Sequence, residues 1–271
     1  MLSADEIDRY HRDGYVIPRG FQLTPHECAR LQADLETVLQ QNSDIPSDRL
    51  INVHLEGKPP YGAIGASGFE QLARDPRIVD MVEQLIGPDL ILWLTHLFCK
   101  PAAIGREVPW HQDGQYWPIQ PAATCTVWVA LDTVDQDNGA MRIIPGSHQR
   151  GSFRHTTDLS NALTLNQVAD TSQFDENTAQ YIELQPGQVS LHDIGVLHGS
   201  AANTSGRRRA GLALRYMPST AWFRRDASVE NSKLDWTLLP LQLVRGVNRH
   251  ELNDLRVGHG DFDPVITSAT F

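Results

Sequence analysis

Chemistry first becomes legible at His111 and Asp113, an imidazole and a carboxylate with one residue between them. In extended backbone, residues i and i+2 project to the same face, so both side chains could reach one ion. A divalent iron suits this mixed nitrogen and oxygen pair, and a second histidine would complete a facial triad with positions left open for oxygen chemistry. His198, in Leu197-His198-Gly199-Ser200, is the candidate third ligand. Eleven residues further on stands Arg209, in a segment that reads as a strand. A hairpin between these two segments would bring the guanidinium near the metal, where its fork suits a bidentate grip on a carboxylate.

Other residues carry a plain reading beside the sharp one. His-x-Asp by itself also fits a polar strand end or turn. His192 reads first as a hydrogen-bonded strand histidine, His148 as a turn residue, and Arg207 and Arg208 as solvated charges. Tyr116 and Trp117 follow the metal stretch directly and are candidates to line a substrate pocket, with rim packing as the alternative. An aromatic wall there suits an ammonium group or a flat apolar ring. Arg215 is a candidate anchor for an anionic substrate, against the alternative of an ordinary surface or paired arginine. Lys58 lies with Asn52, His54 and Tyr61 in a polar segment that reads as a lid, and Trp222, Phe223, Arg224 and Arg225 form a second, C-terminal cluster.

The elements that must hold these residues change character along the chain. Ser3-Ala4-Asp5-Glu6 is an N-cap box for a helix to about His11, and Gly14 to Pro18 reads as a short strand. Thr24-Pro25-x-Glu27 caps a second helix, with Cys28, Leu31, Leu35, Val38 and Leu39 in an apolar stripe. Residues 41–68 look irregular, and a third helical stretch covers Phe69 to Ile86, broken at Asp75-Pro76 and ended by Gly87-Pro88. From Leu90 on, strands are expected over Leu90–Phe98, Thr124–Leu131, Met141–Ile144, Val189–His192 and Ala210–Met217, with turn signals between them, the clearest at residues 135–139. Short strands at this spacing suggest a sandwich or barrel of jelly-roll type.

Composition sets outer bounds. A chain of 271 residues, 41% hydrophobic and 21% charged, is an ordinary globular sequence long enough for a sizeable core. A net charge of -10 argues against nucleic acid or an anionic membrane as the main partner. Cys28, Cys99 and Cys125 are odd in number and widely spaced, which points to a reducing compartment. The acidic N-terminus lacks the pattern of a signal peptide, no apolar run reaches membrane-spanning length, and a cytoplasmic protein is expected.

Taken together and in order, several motifs resemble the phytanoyl-CoA hydroxylase-like family of Fe(II)/2-oxoglutarate-dependent dioxygenases. They are His111-Gln112-Asp113, Tyr116-Trp117-Pro118, Trp128, Asp137-Asn138-Gly139, Ile144-Pro145-Gly146-Ser147-His148, His198-Gly199-Ser200 with Asn203-x-Ser205, and Arg209. The likeness is close over about residues 90–217 and looser in the N-terminal helices. It implies a mainly β fold with flanking helices, a double-stranded β-helix (a cupin-like jelly roll). One domain is expected, with residues 1–88 as helical support and lid, 89–217 as the jelly-roll core and 218–271 as a C-terminal extension. It also implies His111, Asp113 and His198 as catalytic iron ligands, Arg209 and Ser200 on the distal carboxylate of 2-oxoglutarate, and Trp128 and His96 near the cosubstrate. Halogenating relatives have a small residue where this chain has Asp113, so hydroxylation of an unactivated C–H bond of a small metabolite is implied, with molecular oxygen consumed and succinate and CO2 released. Arg215, Lys58 and Tyr116 would complement a small polar, zwitterionic or anionic substrate. The alternatives are a terpenoid or polyketide tailoring oxygenase, a cupin-like metal enzyme that does not use 2-oxoglutarate, and a non-catalytic jelly-roll binding protein with a vestigial metal site.

Overall fold

Alternation along one strand sets the architecture. Over Arg209–Pro218, the residues Ala210, Leu212, Leu214 and Tyr216 alternate with Arg209, Gly211, Ala213 and Arg215. The first set packs with Leu31, Leu35, Val38, Ile78 and Val82, which belong to helices Pro25–Gln41 and Pro76–Ile86. Helices therefore cover the outer face of this sheet. Ala213 packs the other way, with Trp128, Ala130, Met141, Ile143 and Ile182. A strand buried on both faces reads as nearly continuous apolar sequence, and each fully buried leucine contributes roughly 1.5–3 kcal/mol by leaving water.

The computed structural model describes residues 1–57, 61–158, 163–227 and 235–259. Its main sheet is antiparallel, in the order Tyr15–Val16, Val189–Asp193, Cys125–Ala130, Arg209–Pro218, Leu90–Lys100, Gln242–Arg245, with Leu50–Ile51 also paired to Leu90–Lys100. A second antiparallel sheet runs Gln180–Ile182, Met141–Ile143, His198–Ser200, Val108–His111. The two pack face to face as the two layers of a jelly roll, mainly β with flanking helices, as the sequence leads one to expect. The C-terminal segment supplies an edge strand of the main sheet through Gln242–Arg245. Among the described residues, no helix is long and apolar enough to cross a membrane.

Local signals explain the helix boundaries. Ser3 and Glu6 form a reciprocal capping box, as do Thr24 and Glu27. The third helical stretch is two helices, Ser67–Ala73 and Pro76–Ile86, because Pro76 cannot continue a helix but is well placed to start one. One expectation fails. His198–Ser200 and Arg209–Pro218 do not form a hairpin, since they lie in different sheets. Residues 201–208 instead cross from one layer to the other. The Asn203 side-chain amide holds that crossing, within 3.2 Å of the Lys100 carbonyl, 3.1 Å of that of Pro101 and 2.7 Å of that of Arg207. Arg209 thus faces the strands of His111 and His198 across the interior of the roll, its guanidinium 3.3 Å from Ser200 Oγ.

Candidate active site

His111 is the last residue of its strand, and Asp113 opens a single 3-10 turn. Gln112 between them stays extended (φ -111, ψ 132), so the two side chains still project to one side. The Gln112 amide turns away, donating to the Gly151 and Gly195 carbonyls at 3.0 and 2.6 Å and accepting from the Phe153 N–H at 2.8 Å. His198 is the antiparallel cross-strand partner of His111, and their ring centroids are 4.1 Å apart. One ligand atom from each of His111, Asp113 and His198 lies within 4.8 Å of the others, and all three residues are buried.

The hydrogen bonds around the triad prepare it for a cation. Nδ1 of His111 lies 2.8 Å from the Pro109 carbonyl, and Nδ1 of His198 lies 3.1 Å from that of Val196. These partners assign the proton to Nδ1 and leave each Nε2 lone pair free to point at a metal. Asp113 presents Oδ1 at 3.6 Å from His111 Nε2 and Oδ2 at 3.7 Å from His192 Nε2. Its Oδ2 is buried with no hydrogen-bond partner among the described residues. Burial opposes the Asp113 charge, yet His111 and His192 beside it hold the carboxyl well below the ordinary range. Burial, reinforced by His111, pushes His198 well below the ordinary imidazole range. Buried lone pairs converging around an orphaned carboxylate oxygen fit a divalent metal.

Opposite the triad, the main sheet offers rows of side chains set by register. Arg209 pairs with Lys100, Gly211 with Phe98 and Ala130, Ala213 with His96 and Trp128, and Arg215 with Thr126, which in turn pairs with His192. A cavity lies between the layers, lined among others by the triad, Trp128, Ser200, Arg209, Thr126 and Arg215. Arg209 and Lys100 form one end of this surface. Lys100 Nζ donates to Ser200 Oγ at 2.7 Å and to the Ala201 carbonyl. Arg209 Nη2 lies 3.0 Å from the Gly139 carbonyl and 3.3 Å from the same Ser200 Oγ. Its Nε is buried and unpartnered among the described residues, and its guanidinium sits 5.4 Å from the Trp128 ring centroid. Burial lowers Arg209 to about 10. Burial, and then the charge of Arg209, push Lys100 down to about 6. Two buried basic side chains sharing one hydroxyl, with no carboxylate paired to either among the described residues, fit an incoming carboxylate.

Gly211 makes this end possible. A Cβ there would stand 1.9 Å from Trp128 Cζ2, so only glycine lets the indole lie across the strand toward Arg209. Lys100 escapes a reading of the sequence alone. Its signal is its place on the inward face of Leu90–Lys100, which becomes informative only once Arg209 is known to stand opposite.

The remaining candidates divide. His96 does not line the cavity: its ring stacks on Phe98 at 3.8 Å and its Nε2 bonds the Asp48 carbonyl at 3.1 Å, while burial pushes it down to about 3. It stands opposite Ala213, away from the Arg209 end. The Tyr116 hydroxyl is held at 3.0 Å by both the N–H and the carbonyl of Gln167, with its ring edge-on to His111 at 5.9 Å. Trp117 is buried against Trp93 at 4.6 Å, with Arg215 over its face at 4.7 Å. His54 is tied to Thr95 Oγ1 at 2.9 Å within the core. Lys58 lies outside the described residues.

A buried His-Asp-His cluster facing two basic side chains across one cavity is the residue set a non-haem Fe(II), 2-oxoglutarate-dependent oxygenase requires, and that is the class this fold and site define. The chain belongs to the phytanoyl-CoA dioxygenase (PhyH) family, whose sequence profile matches residues 10–211. It is 30% identical over 158 residues to a probable alpha-ketoglutarate-dependent hypophosphite dioxygenase of Stutzerimonas stutzeri, a match covering 57% of this chain and 54%, about half, of that relative. It is 27% identical over 232 residues to a probable phytanoyl-CoA dioxygenase of Caenorhabditis elegans, covering 78% and 74% of the two chains. Among solved structures, the nickel complex of the non-haem monooxygenase ThoJ superposes with a TM-score of 0.69 at 27% identity, covering 96% of this chain and 91% of that one.

Proposed function

We propose that the protein hydroxylates an unactivated C–H bond of a small molecule. One atom of O2 enters the product alcohol and the other enters succinate as 2-oxoglutarate loses CO2. The observation that carries this reading is the convergence of His111, Asp113 and His198 within 4.8 Å, facing a layer that also carries the Lys100–Ser200–Arg209 socket. In it the three ligands hold Fe(II), which when bound supplies the oxygen-activating chemistry. Arg209, Lys100 and Ser200 grip the distal carboxylate of 2-oxoglutarate, and Trp128 walls that end and screens it from water. His192, against the second carboxylate oxygen, fixes the orientation of Asp113. Because Asp113 supplies a carboxylate at the ligand position left small in halogenating relatives, hydroxylation is the favoured outcome.

The relatives span a phosphorus oxyanion and an acyl-CoA by name, and a cavity set between the two layers and lined by buried side chains such as Asp113, His198 and Arg209 favours the smaller kind of substrate. A net charge of -10 supports the absence of nucleic-acid or anionic-membrane partners, and free thiols at Cys28, Cys99 and Cys125 support a reducing, cytoplasmic setting. Anaerobic addition of Fe(II) and 2-oxoglutarate tests the reading. The chelate is expected to give a weak visible charge-transfer band, Arg209→Ala is expected to weaken it, and oxygen should then release succinate. A protein that shows neither band nor succinate is a binding module on a jelly-roll scaffold.

A further inference from the structure

We propose that Arg215 is the receptor for an oxyanion on the organic substrate, so that the enzyme acts on a small carboxylate or phosphorus oxyanion. This rests on the dioxygenase reading above and names the substrate class for the same cavity.

Arg215 is buried, at 7% exposure, and lines the cavity. Among the described residues its guanidinium makes no hydrogen bond or ion pair, and its Nε is buried without a partner. Arg208 and Arg245, by contrast, are paired, the one with Asp132 and Glu36 and the other with Asp80 and Glu83. A buried, unpaired charge is costly unless something arrives to meet it. Three rings hold the group in place, Trp117 at 4.7 Å, Trp93 at 5.9 Å and Phe98 at 5.9 Å from its central carbon. Rings cover the faces of a guanidinium and leave its in-plane N–H donors free.

The neighbours across the sheet extend the receptor. Thr126 stands opposite Arg215, and His192 opposite Thr126. Both are buried, and Thr126 Oγ1 and His192 Nδ1 are likewise without partners among the described residues. Three adjacent residues in one row, each with an orphaned polar atom and each lining the same cavity, make a built polar site. The charges require an anion there as well. Iron(II) and Arg209 together balance Asp113 and a dianionic keto acid, and a proton taken up at Lys100 would only add to the positive side. Arg215 is left uncompensated, with Asp113 as the carboxylate that faces it.

Position limits the size of the substrate. Arg209 and Arg215 lie six residues apart on one strand, about 20 Å at ~3.3 Å per residue, so they serve different ligands. His192, two strands across from Arg215 at ~4.8 Å per strand, touches Asp113. An oxyanion held at Arg215 therefore leaves only a short chain between itself and the metal ligands, and the oxidised carbon lies a few bonds from the anion.

The test uses the Fe(II)- and 2-oxoglutarate-loaded protein under anaerobic conditions. Matched carboxylates, phosphonates, amides and amines with the same two- to five-carbon chains are titrated while the charge-transfer band and the heat of binding are followed. Members of one oxyanion series should bind and perturb the band, with the carboxylate and phosphonate arms deciding between the two sources, while the amides and amines should not. Arg215→Gln should weaken that binding by about ten- to hundredfold, the scale of lost charge-assisted hydrogen bonds. It should leave the band and the 2-oxoglutarate affinity within about twofold, and Arg215→Lys should restore part of the loss. Preferential binding of amides or amines, or oxyanion binding unchanged in Arg215→Gln, overturns the assignment. Loss of the band in Arg215→Gln also overturns it, by placing Arg215 on the cosubstrate. A wild-type protein with no band sinks the dioxygenase reading itself, whereas a normal band with no oxyanion bound sinks this inference alone.

Discussion

Lys100 gives the sharpest quantitative expectation. Its amine is pushed down to about 6 by burial and then by Arg209, so in the free protein it is about half protonated at pH 6 and about one part in a hundred protonated at pH 8. A carboxylate arriving at Ser200, between Lys100 and Arg209, reverses the balance by favouring the ammonium form. Binding of 2-oxoglutarate should therefore take up a proton at Lys100. If the bound state stays protonated, affinity falls about 50-fold from pH 6 to pH 8, or about 2 kcal/mol at ~1.36 kcal/mol per pH unit. The assay is an anaerobic titration of the Fe(II) protein with 2-oxoglutarate at several pH values, repeated calorimetrically in two buffers of different ionisation enthalpy to count the proton. Metal ligation has its own pH dependence, so the quantity that matters is the difference between wild type and Lys100→Met, which keeps the stem and removes the titrating group. The variant should lose both the proton uptake and the extra slope. The free protein offers an independent sign. Between about 6 and the ordinary 10.5, the unfolded chain binds more protons at Lys100 than the native state does, so native stability should rise with pH across that window, and Lys100→Met should remove the rise. Equal pH slopes for the two proteins would refute the placing of Lys100 in the cosubstrate socket.

Gly211→Ala should force the indole off its place, since the new Cβ would meet Trp128 Cζ2 at 1.9 Å. The cost is about 1–3 kcal/mol of overpacking, or a fall of about 2–12 °C in Tm at ~2–4 °C per kcal/mol, together with weaker 2-oxoglutarate binding; unchanged melting and affinity would show that Trp128 does not depend on the gap. Asp113→Ala removes both a ligand and the charge that Arg215 faces, so succinate release and Fe(II) binding should be lost together, and a wild-type rate in that variant would show the triad assignment to be wrong.

What the sequence discloses about this site follows the range of the interaction that makes it. His111 and Asp113 are two positions apart, so local backbone geometry alone puts them on one side. Ser200 and His198 share a short strand by the same rule. Lys100 and Thr126 gain their roles from partners 109 and 89 residues away, Arg209 and Arg215, and cross-strand register is not written in any local pattern. The misread hairpin has the same origin. Residues 201–208 have the composition of a tight turn, and only the carbonyls within reach of Asn203, two of them those of Lys100 and Pro101 where Leu90–Lys100 ends, reveal that the chain changes layers. His96 and Lys100 share the inward face of that strand, and register alone decides which of them meets the socket: Lys100 opposes Arg209, while His96 opposes Ala213.

Parity, by contrast, is legible, and it ties the two ends of the cavity together. Arg209 and Arg215 are an even number of residues apart, with Gly211 and Ala213 between them on the same face and Leu212 and Leu214 on the other. The pairing irregularity falls after Arg215, between Arg215 and Tyr216, so the alternation is unbroken across the stretch that matters. A one-residue slip would carry both guanidiniums into the helix-covered core around Leu35 and Val82 and bring two leucines into the cavity, which the cost of burying unpaired charge forbids. The residues proposed to bind anions are thus also residues that hold the strand in register, and any substitution that neutralises both should be read for its effect on folding before its effect on binding.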